Sequence, residues 1–208
     1  AGADLAAGRG GVVSLGSTAP VDGAYPLLAY VPAVRPEQLG DARFRADYGL
    51  RYAYVTGAMA NGIASVEIVE AMSRAGMLGF FGAAGLSPAV VQRAIDRLQH
   101  DLGNLPYGFN LIHSPNEPTI EETVADMYIR RNVTLVEASA YLGLTLPLVK
   151  YRVTGIYRGV DGQIITPNRV MAKVSRVEVG SKFFAPPPAA MLAELVRISH
   201  ITAEQAAL

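Results

Sequence analysis

Cysteine is absent from this chain of 208 residues. Without thiolates the chain has no disulfides, no cysteine nucleophile and no iron–sulfur cluster held by its own residues. Any redox chemistry therefore requires an organic cofactor. Histidine is also scarce, with three residues, and none of them has the spacing of metal ligands. The sequence predicts no metal site.

Excess charge of one sign and long apolar runs are lacking as well. Basic and acidic side chains number 18 each, which gives a formal net charge of +0. A balanced charge creates no field that would attract nucleic acid or an anionic membrane. No apolar run reaches the roughly 18 residues of a membrane span, and the first residues do not have the pattern of a secretory signal. We expect a cytoplasmic protein that binds neither nucleic acid nor membranes.

Half of the residues are apolar, which is enough to form a core. Residues 1–50, interrupted by glycine and proline, are interpreted as an N-terminal lead-in. Residues 51–208 alternate between predicted strands and helices. The five predicted strands are residues 52–55, 78–81, 107–112, 134–139 and 169–174. This alternation predicts an α/β fold with a parallel sheet, either a complete doubly wound domain or roughly the first five βα units of a TIM (β/α)8 barrel.

Two pairs of residues have the spacing of a helix-capping box, Thr119 with Glu122 and Thr202 with Gln205. The helix near Thr119 also carries several acidic side chains. We expect them on a solvated face of that helix: Glu117, Glu121, Glu122 and Asp126.

Small residues follow the first two predicted strands, at the end of the sheet where α/β enzymes place their ligands. The first loop is Gly57-Ala58-Met59-Ala60-Asn61-Gly62, and the second begins at Gly82. Small side chains would let a flat ring or a phosphate approach the backbone. A tight turn that merely needs glycine is the alternative explanation. Neither loop has the GxGxxG pattern of a dinucleotide-binding fold.

Polar side chains occur at the later strands. Asn110 lies within the third strand and His113 directly follows it, and each must bond either a cofactor or a neighbouring protein group. Glu137 and Lys173 lie within the fourth and fifth strands between apolar residues, so they either pair with each other or face a ligand. We favour a ligand for Lys173, because a cation near the pyrimidine edge of a flavin stabilises the charge that the ring gains on accepting a hydride.

Five segments, in this order and at this spacing, resemble one known group of flavoproteins. They are residues 58–64, 76–85, 109–115, 137–140 and 172–176. From about residue 25 to residue 208 the chain resembles the N-terminal portion of the trans-acting, FMN-dependent enoyl reductases. These enzymes serve polyunsaturated fatty acid synthases and trans-acyltransferase polyketide synthases, and they belong to the nitronate monooxygenase-like superfamily.

The resemblance implies a TIM barrel with FMN at the C-terminal ends of the strands. It also implies NADPH as hydride source, with His113 as a candidate proton donor and Lys173 as a second catalytic residue. The implied cofactor contacts are Gly57, Ala58, Met59, Ala60, Asn61, Gly82, Asn110, Glu137, Ser139 and Lys173.

The resemblance further implies that the substrates are enoyl thioesters on acyl carrier protein domains. Members of the group continue past the position of Leu208 into a sixth strand and a Gly-Gly-His segment, whose histidine the resemblance favours over His113 as the proton donor. The chain is therefore expected to need its C-terminal half of the barrel or another subunit. Nitronate oxidation and a non-catalytic barrel fragment are the alternative functions.

Overall fold

The computed structural model describes residues 33–208 and two short strands before them, β1 (Val13–Ser14) and β2 (Tyr25–Pro26). These two strands pair in parallel within a first compact unit, Ala1–Pro36. Glu37–Leu208 forms the second compact unit. More than half of the predicted lead-in, residues 1–50, lies outside the described residues, as do residues 27–32 near the start of the resemblance.

The second unit alternates strands with helices. In chain order its elements are α1 (Ala42–Tyr48), β3 (Val55–Thr56), α2 (Val66–Arg74), β4 (Leu78–Phe81), α3 (Pro88–Leu102), β5 (Gly108–Ile112), α4 (Pro118–Arg130), β6 (Leu135–Ser139), α5 (Leu146–Val153), β7 (Tyr157–Arg158), β8 (Ile164–Ile165), β9 (Arg169–Ala172), α6 (Val177–Phe184), α7 (Ala189–Arg197) and α8 (Ala203–Ala207). Strands β7 and β8 form an antiparallel hairpin between α5 and β9.

The main sheet has five parallel strands in the order β3-β4-β5-β6-β9. Each connection therefore leads to the next strand in the same direction. Because βαβ crossovers are right-handed, a sheet that always proceeds in one direction carries its crossover helices on one face. A doubly wound sheet instead reverses direction at a switch point. The described sheet does not reverse, so it is the first five units of a TIM barrel rather than a complete doubly wound domain.

Alternate strand residues enter two different cores, as the two-residue period of a strand requires. Phe81, Phe109 and Val136 belong to a core that includes buried residues of helices α3 and α4. Leu78, Phe80 and Leu135 belong to the other core, which Leu50 joins. The first core lies on the helix-covered outside of the barrel wall, and the second lies on its interior face.

Among the described helices, α1, α2, α5 and α8 begin with a side-chain cap, whereas α3, α4, α6 and α7 begin without one. Thr202 and Gln205 form the predicted capping box of α8. The predicted box of Thr119 and Glu122 is wrong, because α4 begins one residue earlier, at Pro118. Proline suits the first position of a helix, where the backbone N–H has no helical partner. Thr119 therefore lies inside the first turn, where its carbonyl accepts a hydrogen bond from Thr123.

Among the residues that the structure describes, no helix is both long and apolar enough to cross a membrane.

Candidate active site at the carboxyl ends of the strands

Four polar side chains meet across β5, β6 and β9, two from the middle of a strand and two from a carboxyl end. In the register of the sheet, Asn110 lies beside Glu137. The Asn110 Nδ2 donates to Ser139 Oγ at 2.9 Å and to the Glu137 carbonyl at 3.1 Å. Lys173 directly follows β9, and its Nζ lies 3.1 Å from Glu137 Oε2. Adjacent parallel strands thus bring together Asn110, Glu137, Ser139 and Lys173, which we call the interior polar group.

Glu137 connects the loop after β3 to this group. Its Oε2 accepts the N–H of Ala58 at 2.7 Å, and Lys173 Nζ donates to the Ala58 carbonyl at 3.3 Å. A Cβ at Gly57 would lie 3.0 Å from Glu137 Oε1. The glycine therefore gives the carboxylate room beside the loop, and both polar atoms of the Ala58 backbone are held by charged side chains.

The structure resolves the two options that the sequence left for Glu137 and Lys173, since the two residues form an ion pair. The pair is asymmetric: the Glu137 side chain is 3% exposed and the Lys173 side chain 47%. An ammonium has three N–H donors. Lys173 has two acceptors within reach, the Glu137 carboxylate and the Ala58 carbonyl oxygen. Pairing with Glu137 therefore leaves the ammonium accessible to a ligand.

The two glycine-containing loops pack directly on each other. Asn61 donates its backbone N–H to Ala84 at 2.7 Å, and Gly62 donates to Gly82 at 2.9 Å. A Cβ at Gly82 would lie 1.7 Å from the Met59 carbonyl oxygen. Loop packing alone therefore requires Gly82 to be glycine, and its contact with a cofactor stays a prediction. The exposed residues of the first loop are Met59, Ala60 and Asn61.

His113 belongs to a second cluster, on the helix side of the barrel wall. Its Nδ1 lies 2.8 Å from Oε2 of Glu121, a residue of α4. The hydroxyl groups of Tyr141 and Thr145 both donate to Glu121 Oε1, the first at 3.0 Å. The imidazole stacks on the Tyr141 ring, with centroids 5.4 Å apart and planes inclined by 28°. We call these four residues the His113 cluster.

Glu121 corrects the prediction of a solvated acidic face on α4. Its side chain is 3% exposed, and two hydroxyl donors and the His113 ring from other segments surround the carboxylate. Asp126 also turns inward, to an ion pair with Lys150 at 2.6 Å, whereas Glu117 and Glu122 are exposed as predicted. Helical spacing could have identified Glu121, since residues 121, 124 and 128 form one buried stripe.

Tyr141 is held in its neutral form in this cluster. Burial is the main cause that raises its pKa, and the adjacent Glu121 carboxylate raises the pKa further. A neutral phenol donates its hydroxyl hydrogen, which matches the hydrogen bond to Glu121. In the His113 cluster, one buried carboxylate therefore accepts two hydroxyl hydrogens and lies 2.8 Å from an imidazole nitrogen.

The interior polar group presents a cation and the Asn110 Oδ1 acceptor to a flat, electron-accepting ring, since both Nδ2 hydrogens of Asn110 are donated to Ser139 and Glu137. Lys173 supplies a cation, Asn110 supplies a carboxamide, and the exposed loop at residues 59–61 supplies backbone that a ring could contact. Such features fit a flavin at the end of a barrel where ligands bind. Within the described residues, no group of three histidine or carboxylate side chains could hold a metal ion.

A parallel sheet with its helices outside and polar residues at the carboxyl ends of its strands defines a TIM-barrel-type α/β protein. No family model matches the sequence. The chain is 46% identical over 176 residues to the polyketide biosynthesis protein PksE of Bacillus subtilis, and the match covers 84% of this chain and 23% of PksE. It is 43% identical over 170 residues to a component of the polyunsaturated fatty acid synthase of a Thraustochytrium species, covering 82% and 11% of the two chains.

Two solved structures share the fold. The enoyl reductase domain of MlnA, from the macrolactin biosynthesis cluster of Bacillus amyloliquefaciens, matches with a TM-score of 0.78 and 39% identity over 81% of this chain and 39% of that one. A FabK variant from Thermotoga maritima matches with a TM-score of 0.50 at 18% identity, over 76% and 43% of the two chains, which shows the fold alone.

These relationships confirm the resemblance indicated by the five sequence segments: the chain is related to the enoyl reductase group of polyketide and polyunsaturated fatty acid synthase systems. It spans less than a quarter of the length of PksE and of the fatty acid synthase component.

Proposed function

We propose that this chain is the FMN-binding part of an enoyl reductase that uses NADPH to reduce enoyl thioesters in polyketide or polyunsaturated fatty acid synthesis. One observation carries the proposal, namely the match to the MlnA enoyl reductase domain at a TM-score of 0.78 and 39% identity. The proposed partners are acyl carrier protein domains that bear the substrate, together with the C-terminal half of the barrel or another subunit.

Lys173 is the proposed electrostatic catalyst. Bound FMN would supply the relay of a hydride from NADPH to the β-carbon of the enoyl thioester. The Lys173 ammonium, held by Glu137 at 3.1 Å, would lie near the pyrimidine edge of the ring. A cation that is already in place stabilises developing negative charge without reorganisation during the reaction.

The other residues of the interior polar group and its loop would bind and orient the cofactor. Asn110 would hydrogen-bond the ring, and Ser139 fixes the Asn110 amide at 2.9 Å. The segment from Ala58 to Asn61 would lie against the ring face. Gly57 and Gly82 would contribute by allowing the loop to take its position.

His113 is a second candidate for the proton donor to the α-carbon, after the histidine of the Gly-Gly-His segment that the resemblance implies. The Nδ1 of His113 is engaged by Glu121 at 2.8 Å, which leaves Nε2 as the nitrogen that could reach a substrate. The side chain is 27% exposed, so protons can be exchanged with solvent.

The test begins with the chain purified together with the C-terminal half of the barrel or its partner subunit, and with the bound cofactor. Denaturation should release FMN, and NADPH should be consumed only when an enoyl thioester on an acyl carrier protein is added. FAD in the released fraction would contradict the cofactor assignment. Oxygen consumption with a nitronate, and none of NADPH with the thioester, would favour nitronate oxidation instead.

A further inference from the structure

Asn61 and Gly62 form a tight turn in the loop after β3. Both residues have positive φ angles, 57° and 71°, and Ile63 donates its N–H to the Ala60 carbonyl at 3.2 Å. This is the geometry of a type I′ turn, in which Asn-Gly is a preferred central pair. Asparagine tolerates the left-handed conformation that the first central position needs, so the turn explains why these two residues are present.

The same pair of residues is chemically reactive. Among the asparagines of the sequence, only Asn61 precedes a glycine, and glycine has no Cβ to hinder the approach of its backbone nitrogen. The Gly62 nitrogen can attack Cγ of Asn61, so that a C–N bond forms in a succinimide ring and the side-chain nitrogen leaves as ammonia. Water then opens the ring at either carbonyl and gives aspartate or isoaspartate. Water is the only co-reactant, and no group is oxidised or reduced.

The packing of the two glycine-containing loops opposes this reaction in the folded chain. Gly62 donates its N–H to the Gly82 carbonyl at 2.9 Å, and Asn61 donates its own N–H to Ala84 at 2.7 Å. The attacking nitrogen is therefore held by the other loop, and it must give up this hydrogen bond to react. The Asn61 Oδ1 packs against the same loop at Gly85, where a Cβ would overlap it. Asn61 is nevertheless exposed, so water can reach it.

We propose that Asn61 is a site of spontaneous deamidation in this protein, and that the packing of the two glycine-containing loops sets the rate of the reaction. Deamidation then proceeds from the fraction of molecules in which the loops have separated. Local opening of a packed segment is a rare event with its own free energy. The proposal goes beyond the proposed function and does not depend on it.

Deamidation would make the separation of the loops permanent. Isoaspartate inserts the former side-chain carbon into the backbone, so the N–H groups of the turn can no longer bond both Gly82 and Ala84. The same loop holds Ala58, which bonds Glu137 and Lys173 of the interior polar group. Modification of the turn is therefore expected to disturb the candidate site as well.

Mass spectrometry of peptides measures the reaction, because replacement of NH2 by OH raises the mass of the peptide that contains Asn61. The unmodified chain is incubated in mildly alkaline buffer, folded in one sample and in denaturant in another. Asn132 is the internal control, since it is also exposed with a positive φ, 53°. In denaturant we expect Asn61 to convert about ten-fold faster or more, because the β-branched Val133 hinders attack after Asn132.

Folding should slow the conversion of Asn61 by about ten-fold or more. Hydrogen exchange at the Gly62 amide checks this value independently. Exchange and deamidation both require the Gly62 N–H to leave the Gly82 carbonyl, so folding should slow both by similar factors. Gly82→Ala forces the loops apart and should accelerate both in a folded chain. Gly180→Ala, which alters a glycine of α6, should change neither.

Two results would overturn the proposal without the need for any variant to fold. If Asn61 converts no faster than Asn132 in denaturant, the pair is not reactive. If Asn61 converts as fast in the folded chain as in denaturant, the packing of the loops does not control the rate. A folded Gly82→Ala chain with an unchanged rate would overturn the role of loop packing as well.

Discussion

The ammonium of Lys173 and the carboxylate of Glu137 form an ion pair, 3.1 Å apart, in which the acid is buried and the base is half exposed. Glu137 lies in β6, and Lys173 directly follows the neighbouring strand β9. Glu137 also accepts the N–H of Ala58. The buried acid thus belongs to the scaffold, while the exposed base is available to a ligand. This division suggests different consequences when either residue is replaced.

Replacing Lys173 should affect the chemistry more than the folding of the chain. In Lys173→Ala we expect flavin reduction by NADPH to slow by roughly ten-fold or more, because a fixed cation near the developing charge is lost. Stopped-flow absorbance measures the rate, and circular dichroism should show an unchanged fold. Lys182→Ala is the control, since Lys182 is another exposed lysine that donates to a backbone carbonyl. A full rate in Lys173→Ala would mean that this residue is only an ion-pair partner.

Replacing Glu137 should affect the loop after β3. Glu137→Ala removes the acceptor of the Ala58 N–H, whereas Glu137→Gln keeps an oxygen that can accept it. We expect the alanine variant to lose about 1–3 kcal/mol of unfolding free energy and to expose the Ala58 amide to hydrogen exchange. The glutamine variant should retain most of the protection. Equal protection in both variants would show that the loop does not depend on Glu137.

Gly82 offers a test of the packing between the two loops. Gly82→Ala would place a Cβ 1.7 Å from the Met59 carbonyl oxygen, so backbone must move. We expect a loss of about 2–3 kcal/mol or more in unfolding free energy, measured by chemical denaturation. Gly180→Ala is the matched control. Gly180 lies inside α6, and a Cβ there would lie 3.7 Å from the Val174 side chain, an ordinary van der Waals distance. Replacing a glycine within a helix should be neutral or stabilising by about 0.5–1 kcal/mol.

The sequence predicted the strands best where short apolar runs lie between glycine-containing turns. The second predicted strand, residues 78–81, coincides with the structure. The first predicted strand, residues 52–55, is shifted to Val55–Thr56. Its aromatic residues favour a strand, but pairing with β4 begins only at Val55 opposite Leu78. Tertiary pairing rather than local preference therefore sets the boundary.

The polar residues of the candidate site could be predicted from the sequence where they lie in or next to strands. A charge flanked by apolar strand residues must have a partner, which correctly marked Glu137 and Lys173. The burial of Glu121 was missed, because acidic residues on a helix are usually solvated and its three polar partners come from segments far apart in the sequence. Contacts between distant loops leave no local pattern in the sequence.

Buried tyrosines should make the fold sensitive to alkali. Burial raises the pKa of Tyr128 well above its ordinary value of 10.0 and also raises that of Tyr151. Their hydroxyls donate to the carbonyls of Asn110 and Val133. Above about pH 10 the unfolded chain releases phenolic protons that the folded chain retains, so rising pH favours unfolding.

We therefore expect stability to be constant with respect to these groups below about pH 10 and to fall above it. Absorbance at the phenolate band should show that Tyr128 and Tyr151 ionise only as the chain unfolds. Tyr128→Phe should remove one of these late ionisations. Ionisation of both tyrosines while circular dichroism remains native would contradict the prediction.

The last prediction concerns the outer edge of β9. Arg169 and Lys173 donate their backbone N–H groups to Thr134 and Ala138, at 2.8 and 2.9 Å. Because alternate N–H groups of a strand point to the same side, that of Ala172 faces away from β6. The described sheet has no strand on that side of β9. Such an edge is a template for another chain, and we expect the 208-residue chain alone to associate as its concentration rises.

Two proline variants separate edge pairing from general loss of structure. Ala172→Pro removes an N–H that faces the open edge, so sedimentation velocity should show less association while the fold persists. Met171→Pro removes an N–H on the side of β6, so the sheet itself should weaken and unfolding should occur at lower denaturant. A chain that is monomeric at all concentrations, with one sharp unfolding transition, would contradict the prediction. Equal association in the Ala172→Pro chain would mean that another surface, rather than this strand, makes the contact.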